Sequence, residues 1–227
     1  MNDQQNVQRE IDRATELISR AAGIDDATAQ DRVKGWIVAV LNAIPGIGGP
    51  LASLADDYIP SKKQERLVAF VQELSGRIAA SQYELNTQVV HTEEFAFIFE
   101  RVLHGVADNY QQEKLKCYQN ILLNSLADIE IPQEEKELFL LLLDGLTVRH
   151  LRIISILRAG KTGNIDQVIQ QSYPSYDDDS VEYVVDDLRS KGLVKAKGAV
   201  YDPEISSSQN QLTPMGIRLV SFITVKA

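Results

Sequence analysis

The sequence predicts a mainly α-helical protein, in which a helical bundle precedes a smaller module of helices and one β-hairpin. Apolar side chains recur every three to four residues through most of residues 1–136, as in amphipathic helices that share a core. Beyond Thr147 the pattern changes to three short helices, two short strand candidates and one last helix. This order is that of a winged helix, a helix-turn-helix joined to a β-hairpin. We therefore predict two domains, residues 1–136 and residues 137–227.

The helices of the first domain are marked by the residues at their ends. Pro45 and Pro50 bracket a glycine-rich break, because proline removes a backbone donor and glycine permits a tight reversal. Ser61 and Gln64 form a capping box that opens the longest helix, and Pro132 precedes the last one. The predicted helices cover residues 3–22, about 26–44, 50–59, 62–86, 93–110, 111–127 and 133–146.

The second domain is built from shorter elements. Asn164 caps its second helix, and Thr213 with Pro214 begins its last one. The predicted helices cover residues 148–160, 165–173, 179–190 and 214–223, and the strand candidates are residues 193–201 and 210–213.

A 21-residue segment from Gly35 to Ala55 contains no charged side chain. Leaving its large apolar side chains in water would cost ~1.5–3 kcal/mol each, which together approaches the whole stability of a protein. The break at Pro45–Pro50 divides it into two pieces, each too short to span a bilayer. We therefore predict an apolar helical hairpin over residues 35–59 that packs in the core, with release to a partner or a membrane after a conformational change as the alternative. Its partner-binding or membrane-binding candidates are Trp36, Ile37, Val40, Leu41, Ile44 and Ile47.

Phe97 is a further candidate for partner binding. The helical spacing places it on the same polar side as Glu100 and His104. Two interpretations stay open: a core contact with another helix, and an exposed aromatic anchor at an oligomer interface.

Patterns typical of enzymes and metal sites are absent from the sequence. Glu100, His104 and Asp108 share one helix face, but this face lies opposite the apolar stripe and is predicted to be a solvated, salt-bridged surface. Cys117 has no histidine nearby in sequence, and its neighbours Lys114 and Lys116 are interpreted as solvent-exposed charges. The sequence contains no nucleophile elbow, phosphate-binding loop or dinucleotide motif. We predict no catalytic, cofactor-binding or metal-binding residues.

Binding of DNA is the alternative function for a winged helix. Its recognition helix is acidic here, so phosphate repulsion opposes entry into the major groove. A small basic edge near the hairpin nevertheless makes a transcriptional regulator the alternative. The DNA-binding candidates of that alternative are Arg189, Lys191, Lys195 and Lys197.

The overall composition is consistent with a cytoplasmic protein. The net charge is −9, which disfavours general affinity for nucleic acid or anionic lipid. A single cysteine excludes an internal disulfide, and the polar N-terminus has no apolar core of a signal peptide.

Several motifs lie between about Ser61 and the end of the chain. They are Arg66-Leu67 with Phe70, residues 113–125 (EKLKCYQNILLNS), residues 139–157 (FLLLLDGLTVRHLRIISIL), residues 191–194 (KGLV) and residues 212–219 (LTPMGIRL). Together they resemble the abortive-infection alpha (Abi-alpha) family of bacterial proteins, which is linked to phage defence. The resemblance implies a bacterial or prophage-borne defence protein that is helical in front and a winged helix behind. It implies no set of catalytic residues.

Together these observations predict a non-enzymatic defence or stress effector or assembly protein. The helical domain would be the effector or the assembly platform, and the winged helix would contact a protein partner or another copy of the chain. A scaffold or adaptor without any membrane step is a third hypothesis.

Overall fold

A computed structural model describes residues 62–80, 89, 92–127, 131–159, 165–196 and 210–224 of the chain. The chain divides into two compact units, Met1–Gln133 and Glu134–Ala227. The predicted apolar hairpin over residues 35–59, the helices predicted before it and the capping residue Ser61 lie outside the described residues.

The described residues form a mainly helical fold with one two-stranded antiparallel sheet near the C-terminus, which confirms the predicted fold class at this coarse level. The helices are α1 (Lys62–Ala80), α2 (Glu93–Asp108), α3 (Gln112–Leu126), α4 (Gln133–Gly145), α5 (Val148–Arg158), α6 (Ile165–Ser172), α7 (Asp178–Ser190) and α8 (Pro214–Ile223). The strands are β1 (Val194–Ala196) and β2 (Asn210–Leu212).

In the first unit, α1, α2 and α3 contact one another around a shared apolar core. A close approach of α2 and α3 is possible because residue 105 is glycine: a Cβ there would lie 2.3 Å from a ring carbon of the fully buried Tyr118. At the other contact, Arg77 of α1 donates to the side-chain oxygens of Gln119 (2.7 Å) and Asn120 (2.6 Å). These two hydrogen bonds satisfy a half-buried guanidinium whose pKa is lowered mainly by burial.

Lys114 corrects one of the sequence interpretations. Lys116 is exposed as predicted, but Lys114 is only 4% exposed. The reason is that α3 is covered on more than one side, so that burial extends from its apolar stripe to polar positions. The buried polar residues of α3 are Lys114, Gln119, Asn124 and Ser125.

In the second unit, α4 and α8 are joined by an apolar and a charged contact. The rings of Phe139 and Phe222 lie 6.0 Å apart, and both are fully buried. Nε of Arg218 lies 2.9 Å from each carboxylate oxygen of Glu135, and this carboxylate raises the pKa of Arg218.

The sheet follows α7 directly. The turn into it requires glycine, since Gly192 has φ of 70°. The strands pair antiparallel with Val194 opposite Leu212. Arg189 fixes the sheet to α7 by donating from Nε (3.1 Å) and Nη2 (2.7 Å) to Oδ1 of Asn210.

Most predicted boundaries differ from the structure by one or two residues, for local reasons. The helix predicted to end at residue 110 ends at Asp108, because Asn109 is extended and its side chain donates to the carbonyl of Gly105. The helix predicted to begin at Asp179 begins at Asp178, because Asp177 is the capping residue. The last helix, residues 214–223, has its predicted bounds and its predicted cap, Thr213.

Candidate functional site

The outward surface of α7 is the candidate site, and its orientation is fixed by the opposite face of the helix. Four apolar side chains at helical spacing anchor α7 in the core of the second unit. Since burying each of them contributes about 1.5–3 kcal/mol, the helix cannot rotate to hide its polar face. The anchoring residues are Val181, Val184, Val185 and Leu188.

An exposed tyrosine lies at the centre of this outward surface. Tyr183 is 73% exposed, the second most exposed of the large apolar or aromatic side chains in the described residues. Asp179 and Asp186 stand four residues before and three residues after it, which places both carboxylates on the same face, and Glu182 borders it. All three acidic side chains are exposed. We call these four residues the acidic tyrosine face.

The predicted basic edge is largely engaged within the protein. Nη1 of Arg189 lies 2.6 Å from Oδ1 of Asp186, and the other guanidinium nitrogens donate to Asn210. Nζ of Lys191 lies 2.6 Å from Oδ1 of Asp187. The charges of Arg189 and Lys191 are therefore balanced by carboxylates of their own helix.

The remaining two DNA-binding candidates are on or beyond the hairpin. Lys195 is exposed on β1, and Lys197 lies outside the described residues. The acidic character predicted for this helix from its sequence is therefore retained at its surface, with Lys195 as an exposed cation beside it.

Asp187 ties the end of α7 to the start of α5. Its Oδ2 lies 2.9 Å from Nε2 of the buried His150, while Oδ1 receives Lys191. The pKa of Asp187 is lowered, mainly by the hydrogen bond from Lys191 and also by His150.

His150 also caps its own helix. Its Nδ1 accepts the backbone N–H of Thr147 at 3.1 Å, and Oγ1 of Thr147 lies 2.7 Å from the same nitrogen. A nitrogen that accepts a backbone N–H carries no proton, so these contacts place a ring proton on Nε2, the nitrogen that lies 2.9 Å from Oδ2 of Asp187. The hydroxyl, the imidazole and the carboxylate therefore connect the start of α5 to the end of α7.

Two arginines and two tyrosines brace the turn that leads into α7. The rings of Tyr173 and Tyr176 stack with centroids 5.2 Å apart. Arg149 lies 4.7 Å from the Tyr176 ring centroid and Arg152 lies 5.0 Å from that of Tyr173. Arg152 also donates to the hydroxyl of Tyr176 at 3.1 Å. This cluster holds the N-terminus of α7 against α5.

In the first unit, Phe97 is 41% exposed on the polar side of α2. His104 and Glu100 are exposed, with Nε2 and Oε1 3.9 Å apart, and Asp108 pairs with Lys63 at 2.7 Å. The predicted solvated face is therefore present. Within the described residues, no three histidine, cysteine or carboxylate side chains are grouped to hold a metal ion.

Cys117 is a poor nucleophile in this environment. Burial raises the pKa of its thiol to about 12. The thiolate is therefore scarce near neutral pH.

The six candidates of the apolar hairpin, from Trp36 to Ile47, lie outside the described residues. Among the helices of the described ranges, none has the length and apolar composition needed to cross a membrane.

Two parts of the site were missed from the sequence. Tyr183 could have been found, because it is a large aromatic residue on the polar side of an otherwise regular apolar stripe. The contact between His150 and Asp187 joins residues far apart in the chain and leaves no pattern in it. The contact of His150 with Thr147 is different, because the two residues have the spacing of a capping box and this spacing can be read from the sequence.

Comparison with protein-family models gives no match, and comparisons with the curated proteins and with the solved structures give none either.

Proposed function

We propose that the chain is a non-enzymatic bacterial defence or stress effector, or an assembly protein, whose C-terminal unit is a winged helix that contacts proteins rather than DNA. The resemblance of residues 61–227 to the Abi-alpha family supports the defence role. The apolar segment of residues 35–55 is the proposed element for a partner or a membrane.

The order of elements supports the winged helix. In the second unit, α5, α6 and α7 are followed by the hairpin of β1 and β2 and then by α8. Both α6 and α7 contact α5, and β1 contacts α7. In the proposed winged helix, α7 would be the recognition helix.

The observation that carries the protein-contact role is the acidic tyrosine face on α7. A helix that reads DNA gains affinity by placing free cations against phosphates, and each such contact releases counterions. Here the outward charges are carboxylates, and Arg189 and Lys191 are balanced by Asp186 and Asp187. An exposed aromatic side chain with a polar rim is typical of the centre of a protein interface.

A binding titration tests this role. Fluorescence anisotropy of a labelled DNA duplex is measured against the full chain at low salt. We expect no tight binding, and no change on substitution of Lys195→Ala. Tight, salt-dependent binding that Lys195→Ala weakens would instead support the transcriptional regulator.

A second experiment tests the role proposed for the apolar segment. Leakage from anionic vesicles is compared for the full chain, a chain lacking residues 137–227 and a Trp36→Asp variant of each. If the winged helix restrains the segment, the truncated chain causes more leakage than the full chain, and Trp36→Asp abolishes the increase. Equal leakage from all four proteins would contradict a membrane role and leave the protein-contact role intact.

A further inference from the structure

We propose that the acidic tyrosine face of α7 binds a basic, arginine- or lysine-rich protein segment, with the ring of Tyr183 as the central contact. The inference rests on the proposed protein-contact function and names the chemical class of its partner.

The geometry of the acidic tyrosine face suits a cationic partner. Tyr183 is 73% exposed, and its face of α7 is opposite the four residues that anchor the helix. Asp179 and Asp186 flank the ring one helical turn away on each side. A cation placed over this ring therefore lies within reach of carboxylates from both directions.

Charge complementarity favours a basic partner for this face. The face carries three carboxylates, and within the part of the chain that the structure describes Arg189 is the cation that pairs with them, at Asp186. An acidic or nucleic-acid partner would bring like charge to Asp179 and Glu182, which is unfavourable. A guanidinium or ammonium group gains both ion pairing and a cation–π contact with the tyrosine ring.

The neighbouring part of the same helix shows that its carboxylates take cations in this geometry. Lys191 reaches Asp187 at 2.6 Å and Arg189 reaches Asp186 at 2.6 Å. Asp179 lies in the first turn of α7, where the backbone also favours negative charge.

The experiment uses the full chain and a fluorescein-labelled peptide of alternating arginine and glycine as the probe. The dissociation constant is measured by anisotropy for wild type, Tyr183→Ala, Tyr183→Phe and Asp179→Asn with Glu182→Gln. The matched control is Glu93→Gln with Glu100→Gln, which removes two exposed carboxylates from α2. A second control is Tyr110→Ala, since Tyr110 is 75% exposed in the first unit.

We expect Tyr183→Ala to weaken binding about threefold and the α7 double variant about fivefold, whereas Tyr183→Phe retains affinity because the ring is kept. Both controls are expected to bind like wild type. Equal losses in the α2 and α7 double variants would overturn the proposal, because they would show attraction to net charge alone. Unchanged binding in both α7 variants would overturn it as well. Neither result changes the outcome expected when the full chain is titrated with the DNA duplex, so failure of this inference is distinguishable from failure of the proposed function.

Discussion

Replacing Gly216 by alanine is expected to destabilise the second unit, because α8 passes very close to the chain that enters β1. A Cβ at this position would lie 2.2 Å from the carbonyl oxygen of Leu193 and 3.1 Å from its carbonyl carbon. That oxygen also accepts the backbone N–H of Thr213 at 3.0 Å. The clash is with backbone, so it cannot be relieved by a change of rotamer.

The expected cost follows from three terms. Overpacking of this kind costs ~1–3 kcal/mol. Moving the Leu193 carbonyl away from Thr213 loses about 1 kcal/mol more. Alanine returns about 1 kcal/mol through its higher helix propensity. The net loss is about 2 kcal/mol, which lowers the melting temperature of a unit of this size by about 8–16 °C.

Gly145 provides the matched control within the same unit. It is the last residue of α4, and a Cβ there would meet nothing within 4 Å. Gly145→Ala should therefore leave stability unchanged or raise it by up to about 1 kcal/mol. Hydrogen exchange of peptides from α7 and α8, with peptides from α2 and α3 as the internal reference, gives the stability of the second unit separately. Unchanged protection of α7 and α8 in Gly216→Ala would refute the close packing on which the reasoning depends.

Three further predictions concern titration, reactivity and assembly. Burial raises the pKa of Cys117 to about 12. Its alkylation by iodoacetamide at mildly alkaline pH should therefore be slow in the folded chain and fast after denaturation. Equal rates would contradict the burial of this thiol. The pKa of Asp187 is lowered in the folded state, so its contribution to stability is complete above the ordinary aspartate pKa and is lost as the pH falls through the folded-state pKa. Asp187→Asn should therefore reduce the loss of stability on acidification. An unchanged loss would show that the contacts of Asp187 with Lys191 and His150 contribute nothing to stability. If Phe97 is an oligomer anchor, Phe97→Ser should shift the mass measured by light scattering to a smaller species while Tyr110→Ser does not, and an unchanged mass would reject that interface.

The elements that were predictable are those whose signals are local. Thr213 was identified from its type and position, and it caps α8 in the structure. The start of α8 could be predicted from the pair Thr213-Pro214 alone, because a cap and a proline at the first turn depend only on neighbouring residues. The exposed face of α2 followed in the same way from the spacing of its apolar residues.

What was not predictable depends on contacts between distant parts of the chain. Lys114 was interpreted as a solvent charge because periodicity counts apolar positions, and it carries no information on whether a second layer covers the polar side of a helix. The tie between His150 and Asp187 depends on the packing of α5 against α7, which the sequence specifies only through the whole core. The hydrogen bonds from Arg189 to Asn210 likewise require the hairpin to be in place.

The most direct test of the central claim is to map binding on α7 residue by residue. Backbone amide shifts of the isotopically labelled full chain are followed by NMR during separate titrations with the arginine–glycine peptide and with a DNA duplex at low salt. If α7 binds a basic protein segment, the peptide shifts the amides around Asp179, Tyr183 and Asp186, and the duplex leaves these resonances unchanged. Shifts of α7 and β1 with the duplex, and none with the peptide, would contradict this role of α7.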